Sequence, residues 1–221
     1  MRNKEILLVS LKLFLITAVT SLLLAAANKI TAPIIEQNAK NLEVAAKQEV
    51  LPMAAEFMTS EIPKLALEDV TIDALSVGID KKGGNILGYV VTATSKKGYG
   101  GNIRVMVGID KDLKILRAKI MESSETAGLG ANASKPQFID QFIGADSKLT
   151  VVKGEAQKGE VSAIASATVT SKAVTSCVNA ALDTATAKSK SGMLEDTAKR
   201  VEEINQETDK QLLNDKEEGT K

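Results

Sequence analysis

The sequence predicts an α+β protein, in which an N-terminal transmembrane helix is followed by one extracytoplasmic domain with helices flanking a largely antiparallel sheet. An apolar segment near the N-terminus is long enough to cross a bilayer. At about Thr71 the hydrophobic pattern changes from helical to β-rich. Short glycine-rich connections separate the β-rich segments, and such connections join antiparallel neighbours because parallel strands need long crossovers.

The apolar segment runs over residues 6–27 and contains one charge, Lys12. A span needs about 20 residues, and Lys12 can extend its amine back to the interface. Arg2 and Lys4 precede the segment, so the positive-inside rule places the N-terminus in the cytoplasm and the domain outside. Cleavage as a signal peptide is the alternative, because the alanines at 25–27 suit a cleavage site, although the stretch is longer than a usual signal-peptide core.

The pattern divides the chain into four parts. Residues 1–27 form a cytoplasmic stub and the anchor, 28–70 a helical stalk and connector, 71–187 the folded domain, and 188–221 a charged C-terminal tail. In the tail, charges of both signs are interspersed with sparse apolar residues. Such a composition predicts either a solvated helix that docks on a partner or disorder, and we expect disorder in its last dozen residues.

The stalk is predicted to begin with a new helix. Thr31 and Pro33 form a helix-start pattern, since proline is favoured in the first helical turn. Apolar side chains then recur at loosely helical spacing over residues 34–50. We expect this helix to lift the domain away from the bilayer.

Three β-rich segments, at 86–93, 103–109 and 114–121, predict a β-meander. Turn-like segments rich in Gly, Asn and Asp separate them, at 82–85, 98–101 and 110–112. We expect four further elements, in the order a loop at 122–134, a short helix at 136–143, a strand at 149–152 and an amphipathic helix from about Ser171.

The last predicted helix has one apolar face. Its members recur at helical intervals: Val174, Cys177, Val178, Ala181 and Leu182. This spacing places Cys177 on the buried stripe, so we expect a packed and inert thiol in preference to a reactive one.

The composition of the 221 residues argues against several classes of function. Lys and Arg total 28, as do Asp and Glu, so there is no basic field for nucleic-acid phosphates, and two Tyr with four Phe offer few stacking platforms. The chain has no His and only Cys177, so it cannot assemble a zinc site of the usual type, a four-cysteine cluster, a His-ligated haem or an imidazole-based triad. Hydroxyls, carboxylates, amines or an organic cofactor must supply any chemistry, and carboxylate sites for calcium or magnesium stay possible.

Two segments have unusual residue patterns, and the first lies just before the last helix. Residues 160–171 read EVSAIASATVTS, a run of small and hydroxylated side chains. Hydroxyls and free N–H groups at a helix start suit an anion. The alternative is an ordinary N-cap built from Thr170 or Ser171.

The second segment is the loop at 125–130, which reads ETAGLG. Its two glycines allow the backbone to approach a flat ligand closely, and the leucine between them can press on the face of that ligand. An ordinary turn is the alternative interpretation.

Together with a Gly-Tyr-Gly-Gly turn before Asn-Ile-Arg-Val-Met-Val-Gly-Ile-Asp and the N-terminal anchor, these segments resemble the FMN-binding-domain family. Within that family the resemblance is to the G subunits of Rnf ion-translocating electron-transport complexes, to which the C subunits of sodium-pumping NADH:quinone oxidoreductases are related. The features occur in the family's order from Leu7 to about Leu182. The resemblance implies that 71–187 is an FMN-binding domain.

The resemblance also implies the site residues. In this family a flavin transferase joins FMN through a phosphoester to the last Thr of a Ser-Gly-Ala-Thr-like motif, which corresponds to Thr168. Three residues would lie beside the phosphate: Ser166, Ala167 and Thr170. The family's Glu-Thr-Pro-Gly-Leu-Gly loop lies against the isoalloxazine, which implies flavin contacts for Glu125, Thr126, Gly128, Leu129 and Gly130. No catalytic residue and no metal ligand is assigned.

Three positions depart from the family pattern. The motif reads Ala-Ser-Ala-Thr at 165–168, Ser162 stands where the family has an acidic residue, and Ala127 replaces the proline of the loop. The resemblance implies that the transferase recognises the acidic residue, so Thr170 is kept as a second, less favoured attachment residue.

The resemblance implies an electron-transfer flavoprotein subunit that works with the other membrane subunits of an Rnf complex. Covalent FMN would pass electrons between membrane-embedded carriers of the sibling subunits during electron transfer between ferredoxin and NAD, coupled to the pumping of Na⁺ or H⁺. The subunit alone would have no complete activity. A relay flavin needs no general base, which agrees with the absence of His. The alternatives are a C-type subunit of a sodium-pumping NADH:quinone oxidoreductase, a flavin-free membrane-tethered assembly module, and a stand-alone extracytoplasmic flavin reductase.

Overall fold

The structure, a computed structural model, describes residues 2–81 and 85–190, with the side chains of residues 2–5 excepted. It divides into two compact units, one up to Ala45 and one from Ala46 onward. Residues 82–84 of the predicted turn at 82–85 and most of the C-terminal tail, from residue 191 onward, lie outside the described residues.

The first helix, α1 (Arg2–Val50), is continuous and contains Pro33 in its interior. The predicted helix start at Thr31 and Pro33 is therefore wrong. Pro33 leaves only the carbonyl of Lys29 without its helical N–H donor, whereas the alanine-rich and Glu/Gln/Lys-rich residues on either side are strong helix formers. Thr31 lies inside the helix, and its Oγ1 donates a hydrogen bond to the carbonyl of Ala27, one turn earlier, at 3.0 Å.

The first unit contains the apolar part of α1. Among the described residues, one helix is long enough and apolar enough to cross a membrane, and it contains this segment. Its most apolar window has a mean hydropathy of 2.3, and no part of that window is buried. Apolar side chains exposed on every face of a helix are typical of a segment that meets lipid.

The second unit is built on a five-stranded sheet whose strands follow one another in sequence order. The strands are β1 (Glu56–Ser60), β2 (Val70–Ile79), β3 (Ile86–Ser95), β4 (Ile103–Asp110) and β5 (Ile115–Ser123). Every neighbouring pair is antiparallel, so the predicted meander and the α+β fold class are confirmed. Strands β1 and β2 were not among the predicted β-rich segments. The five residues of β1 show no sustained alternation and lie within the segment assigned to the connector.

Short elements and a long helix follow the sheet: a 3₁₀ turn (Gly130–Ser134), α2 (Pro136–Ile139), a second 3₁₀ turn (Asp140–Phe142), β6 (Thr150–Val152), β7 (Glu160–Ser162) and α3 (Thr168–Lys190). The predicted strand at 149–152 is confirmed as β6, which pairs in parallel with β7. The predicted short helix is divided between α2 and the second 3₁₀ turn. Helix α3 begins at Thr168, earlier than the predicted start at Ser171.

Helix α3 packs on one face of the sheet, with the main hydrophobic core between them. Cys177 is 0% exposed in this core, so the prediction of a packed thiol is confirmed. Burial raises the pKa of Cys177 to about 12, which keeps the thiol protonated at neutral pH. A smaller apolar cluster covers the other face of the sheet: Ala46, Val50, Leu51, Ala54, Val90 and Met106. The packing holds α3 against the sheet and thereby fixes the position of its first turn.

Candidate functional site

A pocket of about 380 Å³ lies where three segments meet: the turn at 98–101, the loop at 125–130 and the start of α3. Its lining residues are Tyr99, Glu125, Thr126, Leu129, Gly130, Ser166, Ala167, Thr168, Val169 and Thr170. Every candidate site residue from the sequence is among them except Gly128. Sequence reasoning did not assign Tyr99 or Val169 to the site, although the turn that carries Tyr99 was one of the recognised motifs.

The carboxylate of Glu125 joins the three walls of the pocket. Its Oε2 accepts a hydrogen bond from Thr170 Oγ1 at 2.8 Å, and its Oε1 accepts one from the backbone N–H of Gly100 at 3.1 Å. Hydrogen bonds to an ionised acceptor are stronger than neutral ones. The loop is thus fastened both to the turn at 98–101 and to the first turn of α3.

The alternative interpretation, an ordinary N-cap at Thr170 or Ser171, is wrong, because both residues lie inside the first turn of α3. The buried hydroxyl of Ser171 accepts a hydrogen bond from the N–H of Ile164 at 3.0 Å and donates one to the carbonyl of Ala167 at 2.9 Å. These bonds fasten the preceding loop to the helix. Ala167, which precedes the first helical residue, has no side-chain acceptor, so the helix start can offer its N–H donors to an anion.

Ser166 adopts a left-handed backbone conformation, with φ of 60°. Residues other than glycine pay roughly 1–2 kcal/mol for this region. The motif of the family that this chain resembles has glycine at this position, and glycine adopts the left-handed conformation without a Cβ penalty. In this chain a hydroxyl on the pocket wall replaces it.

The two glycines of the loop at 125–130 have different roles. A Cβ on Gly130 would clash with Glu125 Oε2 and would also lie 2.7 Å from Thr170 Oγ1, so glycine leaves room for the hydrogen bond between these two side chains. Gly128 has φ of 79°, and its carbonyl accepts a hydrogen bond from Asn132 Nδ2 at 2.8 Å. Gly128 therefore shapes the loop without lining the pocket.

Ser162, at the position of the family's acidic residue, does not line the pocket. Its hydroxyl donates to the carbonyl of Gly154 at 2.6 Å and accepts from the N–H of Ala156 at 3.0 Å. Its backbone N–H donates to Gln141 Oε1 at 2.8 Å. The hydroxyl of Ser162 thus closes the connection between β6 and β7. The bond to the Gly154 carbonyl requires an O–H donor, which an ionised carboxylate lacks.

Comparison with known proteins identifies the family of the chain. Residues 98–183 match the FMN-binding domain, and this segment includes every residue of the pocket. The chain is 41% identical to the G subunit of the Na(+)-translocating ferredoxin:NAD(+) oxidoreductase complex of Acetobacterium woodii, over 80% of this chain and 89% of that protein. The chain belongs to the Rnf G-subunit family.

Two further proteins are similar to this Rnf G-family chain. The G subunit of the proton-translocating ferredoxin:NAD(+) oxidoreductase complex of Clostridium ljungdahlii is 45% identical over 48% of this chain and 57% of that protein. The crystal structure of Shewanella oneidensis NqrC has 20% identity and a TM-score of 0.44, covering 69% of this chain and 73% of that one. The resemblance to G subunits drawn from the sequence motifs is confirmed by the match to the Acetobacterium woodii protein.

Proposed function

We propose that the chain is the electron-relaying flavoprotein subunit of a membrane-bound, ion-translocating ferredoxin:NAD⁺ oxidoreductase complex, with FMN in the pocket at the start of α3. The single observation that carries the proposal is that the pocket formed by the Glu125 hydrogen bonds lies wholly within the FMN-binding domain and has Thr168 on its wall. The two G-subunit relatives are named for Na⁺ and for protons, so the proposal includes either ion.

The pocket suits FMN in size and in chemistry. Its volume of about 380 Å³ lies within the usual range for small-molecule and cofactor sites. At the helix start, hydroxyls and free N–H donors suit the phosphate. Three apolar side chains on the same pocket suit a flat ring: Tyr99, Leu129 and Val169. Bound FMN would supply the redox chemistry, while the chain supplies position and electrostatics.

We further propose that Thr168 carries the FMN through a phosphoester between its Oγ1 and the phosphate. Thr168 is half-buried on the pocket wall, where a flavin transferase can reach its hydroxyl. Thr170, the second candidate, is 1% exposed and its hydroxyl is hydrogen-bonded to Glu125. Burial and this hydrogen bond argue against Thr170 as the nucleophile.

The anchor and the domain fit a protein held at the membrane surface. The apolar segment of α1 would span the bilayer, with Arg2 and Lys4 on the cytoplasmic side and the FMN-binding domain on the extracytoplasmic side. A covalent tether keeps the cofactor from being lost where it cannot be replaced. The neighbouring membrane subunits of the complex would then exchange electrons with it.

Expression of the full chain with its flavin transferase tests this function. Intact-mass measurement should show one added FMN on the wild type and none on Thr168→Ala, and the wild type should absorb in the visible flavin band. Thr186→Ala is the matched control, because Thr186 is also half-buried on α3 but lies outside the pocket. An unmodified, colourless wild type would contradict the proposal and favour a flavin-free assembly module.

A further inference from the structure

Tyr99 lies on the wall of the pocket with its side chain 78% exposed, whereas the other tyrosine of the chain, Tyr89, is 1% exposed. The chain has only six aromatic residues, two Tyr and four Phe. Leaving aromatic surface in water forfeits the stabilisation that burial provides. An exposed aromatic ring on a pocket wall therefore indicates a surface that a ligand covers.

The backbone around Tyr99 is fixed although its ring is free. On one side, the N–H of Gly100 donates to Glu125 Oε1 at 3.1 Å. On the other side, Lys97 forms an ion pair with Asp69, and its N–H donates to Ser95 Oγ at 3.3 Å. The turn is thus held at both ends, which keeps Tyr99 on the pocket wall beside the start of α3.

Two other exposed apolar side chains line the same pocket. Leu129 is 43% exposed and belongs to the loop, while Val169 is 50% exposed and belongs to α3. With Tyr99, they place one apolar side chain on each of the three walls. The hydroxyls of Ser166 and Thr168 also line the pocket, so a ligand with a flat ring and an anionic tail satisfies both sets of residues.

We propose that Tyr99 stacks on the isoalloxazine ring of FMN, covers its exposed side and quenches its fluorescence. This inference rests on the proposed function, because it requires FMN in this pocket. A phenol ring in contact with a photoexcited flavin donates one electron to it and regains that electron as the pair relaxes. The exchange involves no net oxidation or reduction, and it depends on direct contact.

The test uses the full chain made with its transferase and purified in mild detergent. Tyr99→Leu removes both the electron donor and the flat cover, so emission per bound flavin should rise several-fold and iodide should quench the flavin more strongly. Tyr99→Phe keeps a flat ring but removes the phenol. Its emission should also rise, while protection from iodide stays close to that of the wild type.

Tyr89→Phe is the matched control. The Tyr89 hydroxyl contacts Ser189 near the far end of α3. Ser189 follows Thr168 by 21 residues on this helix, so the two residues lie about 30 Å apart at 1.5 Å per residue. Emission of Tyr89→Phe should equal that of the wild type.

Mass spectrometry on each variant separates the test of the proposed function from the test of the role of Tyr99. A wild type without FMN would overturn the proposed function and this inference with it. One FMN on every variant, with unchanged emission in Tyr99→Leu and Tyr99→Phe, would overturn only the role of Tyr99. If Tyr99→Leu does not fold, Tyr99→Phe decides the question, because it removes a single hydroxyl from an exposed ring.

Discussion

Thr170 donates a hydrogen bond to Glu125 across 45 residues of sequence, with 2.8 Å between Thr170 Oγ1 and Glu125 Oε2. This contact closes the pocket by joining the loop at 125–130 to the first turn of α3. It also leaves Thr168, two residues earlier, as the threonine of the motif that is not committed to the carboxylate. The relationship therefore connects the shape of the site to the choice of attachment residue.

The first prediction concerns this hydrogen bond. Glu125→Ala should lower the free energy of unfolding by about 1.5 kcal/mol, because it removes a charged acceptor from Thr170 and Gly100. Urea or thermal unfolding measures the change, and Glu155→Ala, at an exposed glutamate outside the pocket, is the control. A double-mutant cycle with Thr170→Val should give a coupling energy above about 0.5 kcal/mol. Additive effects would contradict the contact.

The second prediction concerns the backbone at Ser166. Ser166→Gly should be more stable than Ser166→Ala by about 1 kcal/mol, because glycine adopts the observed φ of 60° without a Cβ penalty and alanine does not. The two melting temperatures, measured side by side, check this order. A glycine variant that melts below the alanine variant would show that the left-handed conformation is not adopted in solution.

The third prediction concerns the single thiol. Burial raises the pKa of Cys177 from 9.0 to about 12, so maleimide should label the native chain very slowly near neutral pH and rapidly after denaturation. In the unfolded chain the thiol ionises at its ordinary pKa, so this group stabilises the fold fully below pH 9 and its contribution is lost as the pH rises toward 12. Because the chain has one Cys, labelling stoichiometry refers to this residue alone. Rapid labelling under native conditions would contradict the packing.

The fourth prediction concerns Ser162. Ser162→Ala should cost about 1–2 kcal/mol, because the Gly154 carbonyl and the Ala156 N–H each lose a hydrogen-bond partner. Ser134→Ala, at an exposed serine, should change stability by less than about 0.5 kcal/mol. Thermal unfolding of both variants makes the comparison, and equal melting temperatures would argue against the structural role of Ser162.

Local patterns predicted the elements that depend on neighbouring residues in the sequence. The antiparallel meander followed from β-rich segments with short turns, and the packed thiol from the spacing of Cys177 within α3. The continuity of α1 did not follow, because a proline pattern cannot distinguish a helix start from a proline that an established helix tolerates.

The site was predictable in its motifs but not in its assembly. The loop at 125–130 and the hydroxyl run each had a local alternative, a turn or an N-cap. Only the contact of Glu125 with Thr170 shows how they combine. Tyr99 was missed because nothing in a glycine-rich turn indicates that its side chain lines a pocket. Val169 was missed because the helix was predicted to start at about Ser171, which left Val169 in the hydroxylated segment before it, whereas α3 begins at Thr168.

Peptide mass mapping across residues 160–172 of the full chain, made with its flavin transferase, tests the central claim most directly. One FMN phosphoester on Thr168 is the predicted result, and it would establish both the cofactor and its attachment residue. FMN on Thr170 would contradict the assignment derived from burial and from the Glu125 hydrogen bond. An unmodified peptide from a colourless protein would contradict the flavoprotein function itself.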